Sequence, residues 1–257
     1  MNEVTLIIPY YRNCNQLARQ VEEWNKYPPG VKVICVDDGS PEPALPIIEE
    51  NASTDLLRHL WLLPAEQRFW LYRVLVDIPW NRGGARNLGA KMAATELIIQ
   101  ADIDHILPAD AAAKLLEFTP NPKRWYRFPR WRVGKADDTR MKDDLPRDCE
   151  YGPVHPHGDS YMVRREVYWE TGGYDEDYAG HLGGGSAFLR RLENHQEVAM
   201  LPAPIRLEVY TRNAIPDANV TTLSRDTTKG GEIRRQKAKT GNDTPRNPLR
   251  FEWKREL

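Results

Sequence analysis

Leu97-Ile98-Ile99-Gln100-Ala101-Asp102-Ile103-Asp104-His105 is the stretch whose reading decides the fold. Leu97 to Ala101 is a short apolar run of the kind that forms a strand buried on both faces. Two carboxylates at i and i+2 follow where that strand emerges, and an Ala-rich helical segment comes after them. Hard oxygen ligands in this position can hold Mg²⁺ or Mn²⁺. The alternative is a solvated Asp-rich turn.

The same arrangement recurs upstream. Val4 to Ile8 is a continuous apolar run stopped by Pro9, and Tyr10, Tyr11 and Arg12 follow it. A helical pattern through Leu17, Val21 and Trp24 ends at Pro28-Pro29-Gly30. A second buried strand, Val31 to Val36, runs into Asp37-Asp38-Gly39-Ser40. A third is expected over Val74 to Ile78, leading into Asn81-Arg82-Gly83-Gly84-Ala85-Arg86-Asn87, which opens a helix ending near Ala94. Strands alternating with helices imply right-handed parallel crossovers, and such sheets bind ligands at the carboxyl ends of their strands. The polar clusters Asp37/Asp38, Asn81–Arg86 and Asp102/Asp104 all fall at that edge.

Five segments in order carry a resemblance: Leu6-Ile7-Ile8-Pro9-Tyr10-Tyr11-Arg12, Val36-Asp37-Asp38-Gly39-Ser40, Gly84-Ala85-Arg86-Asn87-Leu88-Gly89-Ala90, Asp102-Ile103-Asp104 and Gly172-Gly173-Tyr174-Asp175-Glu176. Together they resemble the successive motifs of family-2 glycosyltransferases with the GT-A fold, over roughly residues 3–192. The resemblance implies an α/β fold with a mostly parallel central sheet flanked by helices, a single domain with a C-terminal extension. It implies a nucleotide-sugar donor half over 1–105 and an acceptor half over 106–200, while residues 201–257 read from their charge as a basic C-terminal extension. The implied reaction moves a sugar from a nucleotide diphosphate sugar, a UDP-sugar favoured, to a hydroxyl acceptor with Mn²⁺ or Mg²⁺ present. A metal neutralises the charge that develops on the departing diphosphate.

By the same resemblance Asp104 ligates the metal directly, and Asp102 touches ribose or ligates through water. His105 is a further ligand or a helix-start histidine. Pro9 and Asn81 join the donor site, Tyr11 lies against the nucleobase, and Asp38 accepts from an imide N–H. Arg86 stands near the diphosphate. Without the resemblance, Asp38 reads as a turn residue bonded to nearby backbone, and Arg86 as half of a helix-surface ion pair.

The chain departs from the family after Gly172-Gly173-Tyr174-Asp175-Glu176. The acidic pair that inverting members usually carry falls on Gly184-Gly185. His181, Asp159 and Asp175 are the candidate bases, a retaining mechanism would need none, and a catalytically silent nucleotide-sugar-binding module is the alternative function.

Composition is consistent with a single enzyme domain. The chain has 257 residues, with Lys+Arg 36 against Asp+Glu 37, so no global field selects a partner. Cys14, Cys35 and Cys149 have neither metal spacing nor an even count for disulfides. Cys35 reads as core. No apolar run approaches bilayer length, and a cytoplasmic location without stable membrane insertion is expected.

A helix is expected over 106–118. Cations and aromatics interleave over 121–135, and Arg127, Arg130 and Trp131 are the acceptor candidates. Their pattern suits a glycan or a polyanion such as nucleic acid; a β-ribbon with aromatics inward and arginines in water is the plainer account. Residues 136–150 read as a mobile, charged loop. His155 and His157 at i and i+2 could bind metal or simply belong to a rigid Pro-containing loop. A short strand is expected over Ile205 to Tyr210. From Arg225 to Leu257 ten Lys/Arg stand against five Asp/Glu. This is either a basic arm for a polyanionic acceptor or a wrap with Phe251 and Trp253 as anchors.

Overall fold

The computed structural model describes residues 3–61, 67–136, 145–218, 227–240 and 248–257. Four parallel strands form its centre: β1 (Val4–Tyr10), β2 (Val31–Asp37), β3 (Phe69–Val74) and β4 (Leu97–Gln100). β1 pairs with β2 from Val4↔Val31 to Tyr10↔Asp37, and on its other side with β4. β3 lies outside β2. The sheet order reverses at β1, so the segments leaving β1, β2 and β4 open onto one crevice.

All seven residues of β1 are buried, and their alternation divides the core. Leu6, Ile8 and Tyr10 face one cluster with Leu17, Val21 and Trp24 of α1 (Cys14–Trp24) and Ile48 of α2 (Ala44–Asn51). α3 (Thr54–Trp61) follows α2, and its Leu56 joins the same cluster. Ile7 faces the opposite cluster with Ala85 and Leu88 of α4 (Arg82–Met92). Gly89 lets α4 come down on β1, because a Cβ there would overlap Ile7 Cγ2. Cys35 is fully buried in this core, and the three cysteines are free thiols.

The second half extends the sheet and adds another. After β5 (His105–Ile106), α5 (Ala109–Glu117), β6 (Arg124–Arg127), β7 (Arg130–Val133) and β8 (Tyr151–Val154) comes β9 (Tyr161–Arg164). β9 pairs antiparallel with β4 at Gln100↔Tyr161, and β6 pairs with β9. α6 (Arg165–Glu170), a 3-10 turn at Glu176–Tyr178 and α7 (Gly184–His195) cover this side. β10 (Glu197–Met200) closes the edge beside β6, and β11 (Leu207–Tyr210) lies between β5 and β7 in a four-stranded sheet.

Several expectations need correction. The third strand is Phe69–Val74 rather than Val74 to Ile78, and Leu75 and Val76 beyond it are exposed. Asp37 accounts for the boundary. Its carboxylate caps Ser40 N at 2.8 Å and Ala44 N at 3.0 Å, and takes Arg73 Nη1 of β3 at 2.6 Å. That pins the strand at Arg73. Just past it Val76 O passes Gly39, whose φ of +73° and lack of a Cβ allow the contact. The β-ribbon over 121–135 is two strands in different sheets, and Arg132 is buried rather than in water. The mobile-loop reading of 136–150 falls mostly on 137–144, outside the described residues. The strand expected over Ile205 to Tyr210 begins at Leu207.

The C-terminal residues wrap the domain. α8 (Thr227–Lys239) packs through Gly230 against Leu182, and β12 (Trp253–Arg255) adds antiparallel to β3. Phe251 packs on the α4 cluster, and Trp253 meets Tyr72 edge-on at 5.7 Å. Among the described residues no helix is long and apolar enough to cross a membrane.

Candidate active site

Topology brings two distant segments together. β4 ends at Gln100 and β9 begins opposite it at Tyr161, so residues 101–105 and 155–160 meet at the carboxyl edge of the parallel strands. α4 presents Arg82 and Arg86 one turn apart on one helix face toward the same point.

Asp102 is the hub. Its Oδ1 accepts from Arg82 Nη1 at 3.2 Å and Arg86 Nη2 at 2.7 Å. Its Oδ2 lies 3.4 Å from His157 Nδ1. Burial alone would raise this carboxyl, but the guanidiniums of Arg82 and Arg86 overcome it and hold Asp102 well below the usual carboxylate range. Arg86 is fully buried and also donates to Tyr174 Oη at 2.7 Å, with its guanidinium 5.4 Å from that ring centre. It is therefore a buried partner of Asp102 rather than half of a surface ion pair.

Asp102, His105 and His157 each direct one ligand atom into a common space, and these atoms lie within 4.8 Å of one another. Burial lowers the pKa of both histidines, with Arg130 adding to the effect at His105. Each imidazole is therefore held neutral, the form that binds metals. One carboxylate oxygen with two imidazole nitrogens fits a divalent transition metal better than Mg²⁺, which favours oxygen donors. Asp104 lies outside this trio. Burial, and then the charge of Asp102, push its carboxyl up to about 7. His155 contributes its carbonyl oxygen, which accepts from Arg130 Nε at 2.7 Å.

The donor candidates line the neighbouring strand ends. Asp38 is buried, and its Oδ1 accepts from Asn81 Nδ2 at 3.0 Å. Burial, relieved in part by that bond, leaves Asp38 well above the carboxylate range. Tyr11 Oη donates to Asp77 at 3.2 Å, and Arg12 lies 5.3 Å over the Tyr11 ring. Pro9 is buried inside β1.

A cleft of about 410 Å³ adjoins this edge, lined by Trp80, Asn81, Arg82, Asp175, His181 and Gly185 among others. Asp159 stands behind it. Its Oδ2 accepts from Arg82 Nη2 at 2.7 Å, while its Oδ1 is buried with no partner among the described residues. A Cβ at Gly185 would overlap that Oδ1, so the carboxylate occupies the space a side chain there would take. His181 borders the cleft. Asp175 instead meets Lys237 Nζ at 2.6 Å. Arg127 pairs with Glu193 at 3.2 Å, and Trp131 packs on Tyr151 at 5.0 Å. Of the acceptor candidates it is Arg130 that reaches the Asp102 cluster, 3.0 Å from His105 Nε2.

Arg82 and Ser160 were not singled out by sequence reading. Arg82 was recoverable, since it stands one helical turn before Arg86. Ser160 carries no sequence signal of its own.

A mostly parallel sheet with this strand order, flanked by helices, is the fold of GT-A glycosyltransferases. Residues 5–180 match the model of Glycosyl transferase family 2, and the chain belongs to that family. No curated protein sequence matches the chain. Among solved structures it is similar to Staphylococcus aureus TarS 1–349, with TM-score 0.55 and 14% identity over 82% of this chain and 61% of that one. It is similar to the mannosyltransferase PcManGT from Pyrobaculum calidifontis, solved with GDP-Man and Mn²⁺, with TM-score 0.57 and 16% identity over 96% and 66%. GalNAc-T7, solved with UDP, GalNAc and Mn²⁺, gives TM-score 0.54 and 14% identity over 82% and 44%. The chain thus spans less than two thirds of each of these, and at such identities the likeness concerns the fold.

Proposed function

We propose that this chain transfers a glycosyl group from a nucleotide diphosphate sugar to a hydroxyl acceptor, with Mn²⁺ held by Asp102, His105 and His157. The convergence of those three donors at the switch point of a family-2 fold is the observation that carries the reading. Bound there, the metal would supply positive charge to the departing diphosphate. Two similar folds were solved with nucleotide and Mn²⁺, which supports the same choice.

The chain's own residues perform the rest. Arg82 and Arg86 fix the Asp102 carboxylate in position. Asp38 and Tyr11 receive the base, and a uridine nucleotide is favoured because its imide N–H suits a carboxyl oxygen. Asp159 accepts the proton of the acceptor hydroxyl. Support comes from its Oδ1, which has no partner among the described residues and lies directly behind Gly185 of the cleft lining, in the space a side chain there would take. A relocated carboxylate of this kind makes the missing acidic pair compatible with an active enzyme. The acceptor is a neutral glycan hydroxyl rather than a polyanion, since Arg127, Arg130, Lys237 and Arg250 are all engaged within the protein.

Donor hydrolysis and transfer, measured for UDP- and GDP-sugars with Mn²⁺ or chelator, test the reading. The expected result is Mn²⁺-dependent turnover with a uridine donor, insensitive to salt on the acceptor side. Asp159→Asn should lower kcat by about 10²–10⁴-fold, the usual worth of a general base, while nucleotide affinity stays unchanged. Turnover undiminished by chelator would refute the metal assignment.

A further inference from the structure

Arg130 stands at one of the two ring nitrogens through which His105 could hold a metal. A guanidinium only donates hydrogen bonds, so its Nη1, 3.0 Å from His105 Nε2, donates a hydrogen bond to that nitrogen's lone pair. The ring proton of the neutral imidazole is then on Nδ1, which donates to Ser160 Oγ. Ser160 Oγ also receives the Asp102 backbone N–H at 3.4 Å. Both nitrogens of His105 are therefore engaged, and Nε2 is the one whose lone pair a cation could take without changing the tautomer. That lone pair is already pointed at a positive charge.

The arginine has a second hold nearby. Its Nε donates to His155 O at 2.7 Å, and another guanidinium nitrogen bonds the same carbonyl. His155 lies two residues before His157 in the loop that approaches Asp102. Arg130 thus ties β7 to the loop carrying one candidate ligand, while covering the ligand atom of another.

We propose that Arg130 is a place-holder cation: its guanidinium holds His105 Nε2 in ligand geometry until a divalent metal displaces it. The inference rests on the metal reading of the Asp102 cluster and adds to it a residue that competes with the metal. Binding then requires no change in the protonation of His105, only the exchange of one cation for another. Removing the competitor should strengthen metal binding. A residue that merely supports the loop would weaken it.

The experiment measures the affinity for Mn²⁺ alone, without nucleotide, by electron paramagnetic resonance of the free ion. Alongside it, ¹⁵N spectra of the imidazoles are recorded during titration with diamagnetic Cd²⁺. Arg130→Gln is expected to bind Mn²⁺ about tenfold tighter than the unaltered protein, the equivalent of one hydrogen bond of about 1.4 kcal/mol. In the unaltered protein, Cd²⁺ is expected to shift His105 Nε2 while Nδ1 keeps its proton.

Unchanged or weaker Mn²⁺ affinity in Arg130→Gln would overturn the proposal and leave Arg130 as a brace for the loop. Tighter affinity without a metal shift at Nε2 would also overturn it, because that result reports charge repulsion alone. The imidazole spectra need no variant, so a substitution that failed to fold would not leave the idea undecided. If no metal binds in any form, the metal reading itself fails. Mn²⁺ binding with His105 untouched defeats the place-holder alone.

Discussion

Two acidic clusters bond to α4, one through Arg82 and Arg86 and the other through Asn87, and they differ in how their carboxylates are satisfied. At Asp175-Glu176-Asp177 the rest of the chain supplies a partner for each acid. Lys237 Nζ reaches Asp175 and Asp177 at 2.6 Å each, and Arg250 Nη2 reaches Asp177 at 2.6 Å. Glu176 accepts from Asn87 Nδ2 at 2.9 Å, Leu249 N at 2.7 Å and Arg250 N at 3.2 Å. At Asp102 one oxygen is matched by two arginines, but the other faces the imidazole of His157. A saturated cluster is a clasp that holds the C-terminal residues. His157 Nδ1 already accepts from Asp159 N at 3.3 Å, so at Asp102 one acceptor is turned toward another, which makes a place for a cation.

The largest effect should come from Asp102. Asp102→Asn removes the anionic ligand and strands the buried Arg86, so transfer is expected to fall by at least about a hundredfold. Losing one partner of a buried pair also costs about 3–5 kcal/mol, read by urea unfolding. Turnover surviving the change would place both clusters in the same structural category.

Asp104 sharpens the contrast through pH. Its folded pKa of about 7 lies above the ordinary carboxylate value. The stability it contributes is therefore fully present below about pH 4 and is lost as pH rises through 7. Asp104→Asn should stabilise the metal-free protein at pH 8 and change little near pH 4. Thermal unfolding at the two pH values checks this. Equal effects at both would show that the carboxyl titrates normally.

Glu176→Gln should cost about 1–3 kcal/mol, because a buried carboxylate that accepts three N–H bonds is replaced by a single carbonyl oxygen. Faster proteolysis near residues 248–257 with Mn²⁺ affinity unchanged is the expected pair of results. A joint loss would mean the two clusters are coupled through Asn87 and α4.

Much of this was legible because strand ends are locally encoded. Val4 to Ile8, Val31 to Val36 and Leu97 to Ala101 are apolar runs ending in polar residues, and a parallel sheet turns that pattern into one edge. The third strand was misread because each run carries one charge, Arg73 in Phe69–Val74 and Asp77 in Val74 to Ile78, and the second is richer in aliphatic residues. What stops the strand is a tertiary contact, Arg73 with Asp37, which no local pattern shows. His157 illustrates the same limit. Its place beside Asp102 depends on β9 running antiparallel to β4, a pairing of distant segments. The charge count of the last residues was correct, yet a count cannot tell a solvated arm from a clasp. That depends on the acids at 175–177 lying within reach of Lys237 and Arg250.

The smallest expected effect is at Asp177, and its sign separates the two clusters again. The hydrogen bond from Lys237 is the largest influence and lowers this carboxyl; burial opposes it, and the bond from Arg250 adds to the lowering. A depressed folded pKa contributes stability that is present above the unfolded value of about 3.9 and is lost as pH falls through the folded one. Asp177 has the opposite sign to Asp104, so acid should loosen the C-terminal clasp while relieving the strand-end cluster. The side chain is 39% exposed, and solvent screens the pair. Asp177→Asn should therefore cost less than about 1 kcal/mol at neutral pH. Hydrogen exchange over residues 248–255 between pH 6 and pH 3 provides the check. Protection should hold down to about pH 4 and fall below it, and the variant should show a flatter profile. Protection that declined from pH 6 onward would mean that some group other than this carboxylate holds the clasp.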